Sequence, residues 1–371
     1  MISTMAAVLL KCLRALATAW LIVGATLLLL VVFDRALAAL LPAPSGYAPI
    51  DSAARARPLR EADALKGQPW VELYERERAA SKEMRWVAYR YWQRAPFSGQ
   101  TINIDARGVR LTVQNANPGA RQIWMFGGST LWGTGTPDAS TLPSLLAREL
   151  APENVEISNF GESGYVSTQS LWRLMELLKS GARPDWVIFY DGANEVFSSL
   201  QNGVAGLPQN EANRRLEFNV LSDGGQSARL VLNGFSGFKR VLAKPASVPD
   251  VVALAEQTAR DYEANLRLLN GLSVEFGFKV LALWQPVIFT KKALSPSEQD
   301  ELGSSAQVHR DLWLQTRERL RLAPLSTLGW VDLSAELDAE VAPLYLDFCH
   351  LGPHGNALVA RGIAREWRAT N

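Results

Sequence analysis

Gln122–Gly133 reads QIWMFGGSTLWG, and its reading decides the fold. A short apolar run, Ile123 to Phe126, breaks at Gly127-Gly128, and Ser129 follows at once. Apolar residues closed by paired glycines predict a β-strand with a sharp exit. Glycine at that exit lets the backbone turn tightly and lets another group approach it. A serine on such a turn stands at the carboxyl end of the strand beside free backbone N–H groups, as a nucleophilic hydroxyl requires. The same spelling also suits a serine that merely caps the following helix, so the surrounding chain has to choose between the two.

Outward from that stretch, strands and helices alternate. Strands are expected at Gln122–Phe126, Val155–Asn159, Trp186–Tyr190, Val280–Trp284 and Trp330–Leu333. Between them the periodicity predicts helices near Leu142–Leu150, Thr168–Lys179, Val251–Phe276 and Ser297–Leu322, with a terminal helix starting at Pro353. Continuously apolar strands alternating with helices mean a parallel sheet covered on both faces. Upstream, Pro69–Trp92 reads as helical, with Met84, Val87, Ala88 and Tyr91 at i, i+3, i+4, i+7 spacing. Its aromatic residues, Trp70, Tyr74, Trp86, Tyr89 and Trp92, suit core packing, sugar stacking or a membrane surface. Thr101–Ile104 and Val109–Val113 predict a hairpin around Asp105–Gly108. Ser198–Val248, rich in Gly, Asn and Ser, reads as a long irregular stretch that either shapes substrate access or is a poorly ordered surface insertion.

The N-terminus carries a separate signal. Ala15–Phe33 holds no charged residue, and as a helix it spans about 28 Å, close to the hydrocarbon thickness of a bilayer. Lys11 and Arg14 precede it, which points the N-terminus to the cytoplasm. Ala36-Leu37-Ala38 offers a signal-peptidase site, but the apolar run is long for a signal peptide and charges separate it from that site. An uncleaved single-pass inner-membrane anchor is expected, with the rest in the periplasm or outside the cell. The organisation is then an anchor over residues 1–36, a juxtamembrane spacer and helical segment over 37–100, and a catalytic domain over 101–371.

Charge is balanced, with 38 Lys+Arg against 37 Asp+Glu, so no overall field favours nucleic acid. The two cysteines, Cys12 and Cys349, are too differently placed to form a structural disulfide, and Cys349 is expected to be a small buried apolar residue.

In an open parallel sheet, ligands bind outside the carboxyl ends of the strands. Three successive strands deliver Ser129, Gly161 within NFGESG, and Asn194 within DGANE to that rim. The N–H groups of Ser129 and Gly161 and the Asn194 amide are the donor types of an oxyanion hole. A serine hydroxyl needs a base, and the chain has three histidines. His309 lies in a polar helical stretch and is expected at the surface. His350, in Asp347-Phe348-Cys349-His350, has an Asp three residues earlier that can orient its ring, whereas His354 lacks such a partner. An isolated Asp-x-x-His is also compatible with a cap or a surface ion pair.

These four blocks, Gly127-Gly128-Ser129-Thr130, Asn159–Gly164, Gly192-Ala193-Asn194-Glu195 and Asp347–His350, stand in the order found in SGNH hydrolases, also called the GDSL family, which the chain resembles from about Ile123 to Trp367. The resemblance implies a flavodoxin-like three-layer α/β/α sandwich with a parallel sheet of about five strands. It also implies a triad of Ser129, His350 and Asp347, with neither metal nor organic cofactor. Gly128 stands where the family motif has Asp, Thr130 where it has Leu, and Glu195 where Asp is usual; none of them supplies the nucleophile, base or oxyanion donors. The expected function is an extracytoplasmic serine esterase removing acyl groups, O-acetyl above all, from a carbohydrate. The alternatives are an O-acyltransferase acting on a cell-surface polysaccharide and a non-catalytic protein of polysaccharide export.

Overall fold

The structure, a computed structural model, describes residues 2–40, 58–220, 235, 237 and 250–370. The chain divides into two compact units: Met1–Ala48 with Ala212–Val248, and Pro49–Glu211 with Pro249–Asn371. In the first, helix α1 (Ile2–Leu40) is longer than the run read from sequence. Within its segment Leu10–Leu40 an 18-residue stretch has a mean hydropathy of 2.5, and the segment is long and apolar enough to cross a membrane.

The second unit is built on a five-stranded parallel sheet. Its strands are β5 (Arg121–Gly127), β6 (Val155–Asn159), β7 (Trp186–Asp191), β8 (Lys279–Trp284) and β9 (Trp330–Asp332), in the spatial order β6-β5-β7-β8-β9. Counted from β5 this is 2-1-3-4-5, the doubly wound order of flavodoxin-like sheets, whose direction of winding reverses between β5 and β7. Successive side chains on a strand face opposite ways. Trp124, Phe126, Val187 and Phe189 therefore pack on one face with Leu171, Leu174 and Leu178 of α5 (Ser167–Lys179) and Leu269 of α8 (Val251–Phe276). On the other face, Trp186 meets Trp367 of α11 (Pro353–Thr370). Both faces are covered, so the domain is the expected three-layer α/β/α sandwich.

Four sequence readings need correction. Pro69–Trp92 is not one helix: α2 (Val71–Ala80) is followed by an antiparallel hairpin, β1 (Met84–Val87) and β2 (Tyr91–Arg94). The helical spacing of Met84, Val87, Ala88 and Tyr91 is fortuitous. The segment is rich in aromatic residues, which favour strands, and the Trp92 indole donates to Ser163 O at 2.8 Å while Arg94 N–H donates to Glu162 at 2.8 Å. The helix read at Ser297–Leu322 is two, α9 (Pro296–Ser304) and α10 (Gln307–Leu322), because Ser305 and Ala306 are extended and cap their junction. The hairpin around Asp105–Gly108 keeps its turn, but its strands shrink to β4 (Asn103–Ile104), which also pairs with β3 (Phe97–Ser98), and a bridge at Arg110. Ser198–Val248 is partly helical, through the end of α6 (Ala193–Asn202) and through α7 (Glu211–Val220). Most of 221–249 lies outside the described residues. Among upstream aromatics, Tyr74 is core, packed with Ile102, Ile104 and Trp132.

Candidate active site

Each site residue sits where a β-strand gives way to a turn. Gly128 ends the β5 exit, and Ser129 opens the one-turn helix α3 (Ser129–Trp132). As the first residue of a helix, Ser129 has an N–H with no intrahelical acceptor. A Cβ on Gly128 would lie 2.1 Å from Asn194 Nδ2 and 3.4 Å from Tyr165 O. The amide of Asn194 therefore occupies the space that any larger residue at 128 would need.

The histidine reaches the serine across the whole domain. His350 Nε2 lies 2.8 Å from Ser129 Oγ, and its Nδ1 lies 2.7 Å from Asp347 Oδ2. The other Asp347 oxygen accepts the N–H groups of His350, at 2.8 Å, and of Cys349, at 3.0 Å. Burial works to raise the Asp347 carboxyl, but the His350 ring and these N–H groups outweigh it and hold it at about 2. An ionised Asp347 keeps the proton on Nδ1, which leaves the Nε2 lone pair to accept from Ser129 Oγ–H. Asp347, Cys349 and His350 also form a metal-type donor cluster, but its imidazole nitrogens already face Asp347 and Ser129.

This loop has a buried anchor. Glu298 Oε1 accepts the N–H groups of Leu344, at 2.9 Å, and Tyr345, at 3.3 Å. Its Oε2 accepts from Lys291 Nζ at 2.5 Å, and the same ammonium donates to Ala342 O at 3.0 Å. Hydrogen bonds with Lys291 and backbone N–H groups lower the Glu298 carboxyl, against the opposing pull of burial. Leu346 N–H then donates to His350 O at 2.8 Å, which closes the turn that presents the imidazole.

The donor groups differ in how free they are. Asn194 Nδ2 donates to Tyr165 O at 2.7 Å, and its Oδ1 accepts from Gln209 Nε2 at 3.1 Å. These two bonds fix the amide orientation and leave the second Nδ2–H without an acceptor among the described residues. Gly161 N–H donates to Asn159 Oδ1 at 3.0 Å, so it reaches a ligand only as a shared donor. A Cβ on Gly161 would meet Trp132 N at 2.6 Å, which explains the glycine. Glu195 accepts from Ser167 N at 2.6 Å and Gly192 N at 2.7 Å, tying the β7 exit to the start of α5. Beside it, the buried Asp191 carboxyl has no hydrogen-bond partner among the described residues, and burial with the neighbouring Glu195 pushes it well up.

Sequence reasoning missed Gln209, Lys291 and Glu298. Gln209 lies in the stretch read as irregular, where no local pattern marks it. Ser295 and Glu298 do spell a capping box, a signal for a helix start but not for an anchor. His309 requires correction: it is buried among Phe197, Phe289 and Phe348, and burial lowers it to about 4. Its neighbours in sequence are polar, but Leu312, Trp313, Thr316 and Leu320 continue its face of the helix. His354 is at the surface, 3.0 Å from Glu340, and does not approach Ser129. Neither cysteine is in a disulfide, and Cys349 is buried.

No protein-family model matches the chain, and no curated protein does. Among solved structures, the acetyl xylan esterase AlAXEase is similar over 67% of this chain and 100% of its own, at 17% identity and a TM-score of 0.40. A member of the lipolytic G-D-S-L family from Veillonella parvula DSM 2008 is similar over 66% of this chain and 97% of its own, at 12% identity and a TM-score of 0.38. Est24, a carbohydrate acetylesterase from Sinorhizobium meliloti, is similar over 68% and 100%, at 15% identity and a TM-score of 0.38. At such identities and TM-scores, neither activity nor substrate carries over to this chain.

Proposed function

We propose that the chain is a membrane-anchored, extracytoplasmic serine esterase of the SGNH type that removes acyl groups, O-acetyl above all, from a carbohydrate. The observation that carries this reading is the unbroken hydrogen-bond chain from Asp347 through His350 to Ser129 Oγ, at 2.7 and 2.8 Å. Ser129 Oγ attacks the ester carbonyl as His350 Nε2 takes its proton. Asp347 holds the ring and stabilises the imidazolium. The tetrahedral oxyanion receives the Ser129 N–H and the free Nδ2–H of Asn194, with Gly161 N–H shared from Asn159. His350 then returns the proton to the departing alkoxide, which leaves as a sugar hydroxyl. Water, activated by the same imidazole, releases the acid from the acyl-enzyme. A sugar hydroxyl taking the place of that water would make the protein a transferase. Acetate release measured against acetyl transfer to an added glycan separates the two.

The test is turnover of 4-nitrophenyl acetate by the full chain in detergent. Ser129→Ala is expected to lower kcat by about 10⁵-fold or more, and equal turnover of the two proteins would refute the assignment. The anchor reading rests on Lys11 and Arg14 before the uncharged run Ala15–Phe33 of α1. Protease added to intact spheroplasts is expected to degrade the domain that follows α1, and full protection would place that domain in the cytoplasm.

A further inference from the structure

The β1–β2 hairpin exposes aromatic rings that a fold would ordinarily bury. Trp86 is 69% exposed, Tyr89 67% and Trp172 37%. Tyr89, at the hairpin tip, stacks on Trp172 of α5 with centroids 4.8 Å apart and planes 11° from parallel. Leaving a large apolar side chain in water forgoes the free energy of burying it. The backbone adds a second cost. Four non-glycine residues among those described have positive φ; two are asparagines, which tolerate it, and two are Tyr89 at 65° and Tyr91 at 69°. A bulky residue in that region is strained, and such strain collects where a surface has work to do.

The hairpin is also fastened to the loop that carries Gly161. Besides the bonds of Trp92 and Arg94 to that loop, Tyr165 OH donates to Trp92 O at 2.5 Å and Gln169 Nε2 donates to Arg90 O at 2.8 Å. A crevice lined by Arg90, Gln93, Gly161, Glu162, Tyr165 and Arg173 lies there. Tyr89 and Trp172, which stack on each other, directly precede two of its lining residues, Arg90 and Arg173, in the chain.

Charge decides the chemistry of the occupant. Three local arginines are matched: Arg90 with Glu176 at 2.9 Å, Arg94 with Glu162 at 3.5 Å, and Arg107 with Asp105 at 2.8 Å. Arg173 donates only to neutral acceptors, Gln93 Oε1 and Arg107 O, each at 3.0 Å. Among the described residues no carboxylate is within ion-pair distance of it. Burial and the charge of Arg90 weigh against its cation more than Glu176 favours it, a cost that an incoming carboxylate would offset.

We propose that Tyr89, Trp172 and Arg173 form a subsite for an acidic saccharide, the stacked rings taking the C–H face of a sugar and Arg173 its carboxylate. This deepens the carbohydrate reading above and rests on it. A flat, partly exposed ring pair matches a pyranose face, and a guanidinium with spare N–H groups matches a carboxylate. A lipid-inserting patch is disfavoured, because Lys82, Glu83 and Arg85 are exposed on the same hairpin.

The experiment is isothermal titration calorimetry on the full-length Ser129→Ala protein in detergent, with hexagalacturonate and, as the neutral comparison, xylohexaose. Hexagalacturonate is expected to bind about tenfold more tightly or better, and Arg173→Gln is expected to abolish that preference. Tyr89→Ala and Trp172→Ala are expected to weaken both ligands several-fold. Equal affinity for the two sugars, or an Arg173→Gln protein that keeps the preference, would overturn the proposal. So would failure to bind either sugar alongside capture of anionic phospholipid vesicles that Tyr89→Ala releases. Should Arg173→Gln not fold, salt decides. Hexagalacturonate affinity falling several-fold between about 50 and 300 mM salt while xylohexaose affinity holds supports the proposal, and parallel behaviour refutes it. Because calorimetry reads binding and nitrophenyl acetate reads turnover, the subsite and the nucleophile assignment fail separately.

Discussion

At residue scale, Gly128 changes meaning once the structure is known. In the sequence it is a departure from the Asp of the GDSL motif. In three dimensions it is the gap that admits the Asn194 amide, which Tyr165 O and Gln209 hold in place. Gly128→Ala should therefore displace Asn194 rather than disturb Ser129, since the backbone at 128 is extended and tolerates a side chain. Losing one oxyanion donor costs about a hundredfold or more in kcat. A kcat within a few-fold of wild type on 4-nitrophenyl acetate, at unchanged stability, would show that Asn194 is not such a donor. Ser129, Asn194, Asp347 and His350 were legible because each lies in a short motif at a predicted strand end or before a helix. Gln209 was not, because its only signal is a contact with a residue fifteen positions away.

At element scale, the loop carrying Asp347 and His350 depends on α9, through the buried Lys291–Glu298 pair. Glu298→Gln keeps an acceptor for Leu344 and Tyr345 but leaves the Lys291 ammonium buried without its counter-charge. Breaking a buried pair in this way costs about 3–5 kcal/mol. Chemical denaturation should show that loss, with a drop in turnover as the loop loosens, and Lys291→Met in the same chain should recover part of the stability. Unchanged unfolding in Glu298→Gln would mean that the pair contributes little. The β1–β2 hairpin shows how an element is misread. Its apolar residues fit a helical period, and only its hydrogen bonds to Glu162 and Ser163 select the strand.

At the scale of the whole molecule, stability should carry the signature of His309. Its folded value of about 4 lies below the ordinary imidazole value of 6.5. The unfolded chain therefore takes up the proton first as pH falls, and stability is lost from about pH 6.5 down to about 4. A displacement of that size corresponds to about 3 kcal/mol. The thermal midpoint of wild type should fall across this window, and His309→Phe should flatten the fall. Identical slopes for the two proteins would place the acid sensitivity elsewhere.

The sequence by itself determined the alternation of strands and helices, the apolar N-terminal helix and the order of the four polar blocks. These are local facts, written in periodicity and in turn residues. Only the tertiary structure decided that His350 meets Ser129 across 221 positions, that Gly161 shares its N–H with Asn159, and that His309 is buried. It also decided that the aromatic hairpin faces water. Each of those depends on which groups the folded sheet brings together, and burial and hydrogen-bond geometry leave no trace in the pattern of neighbouring residues.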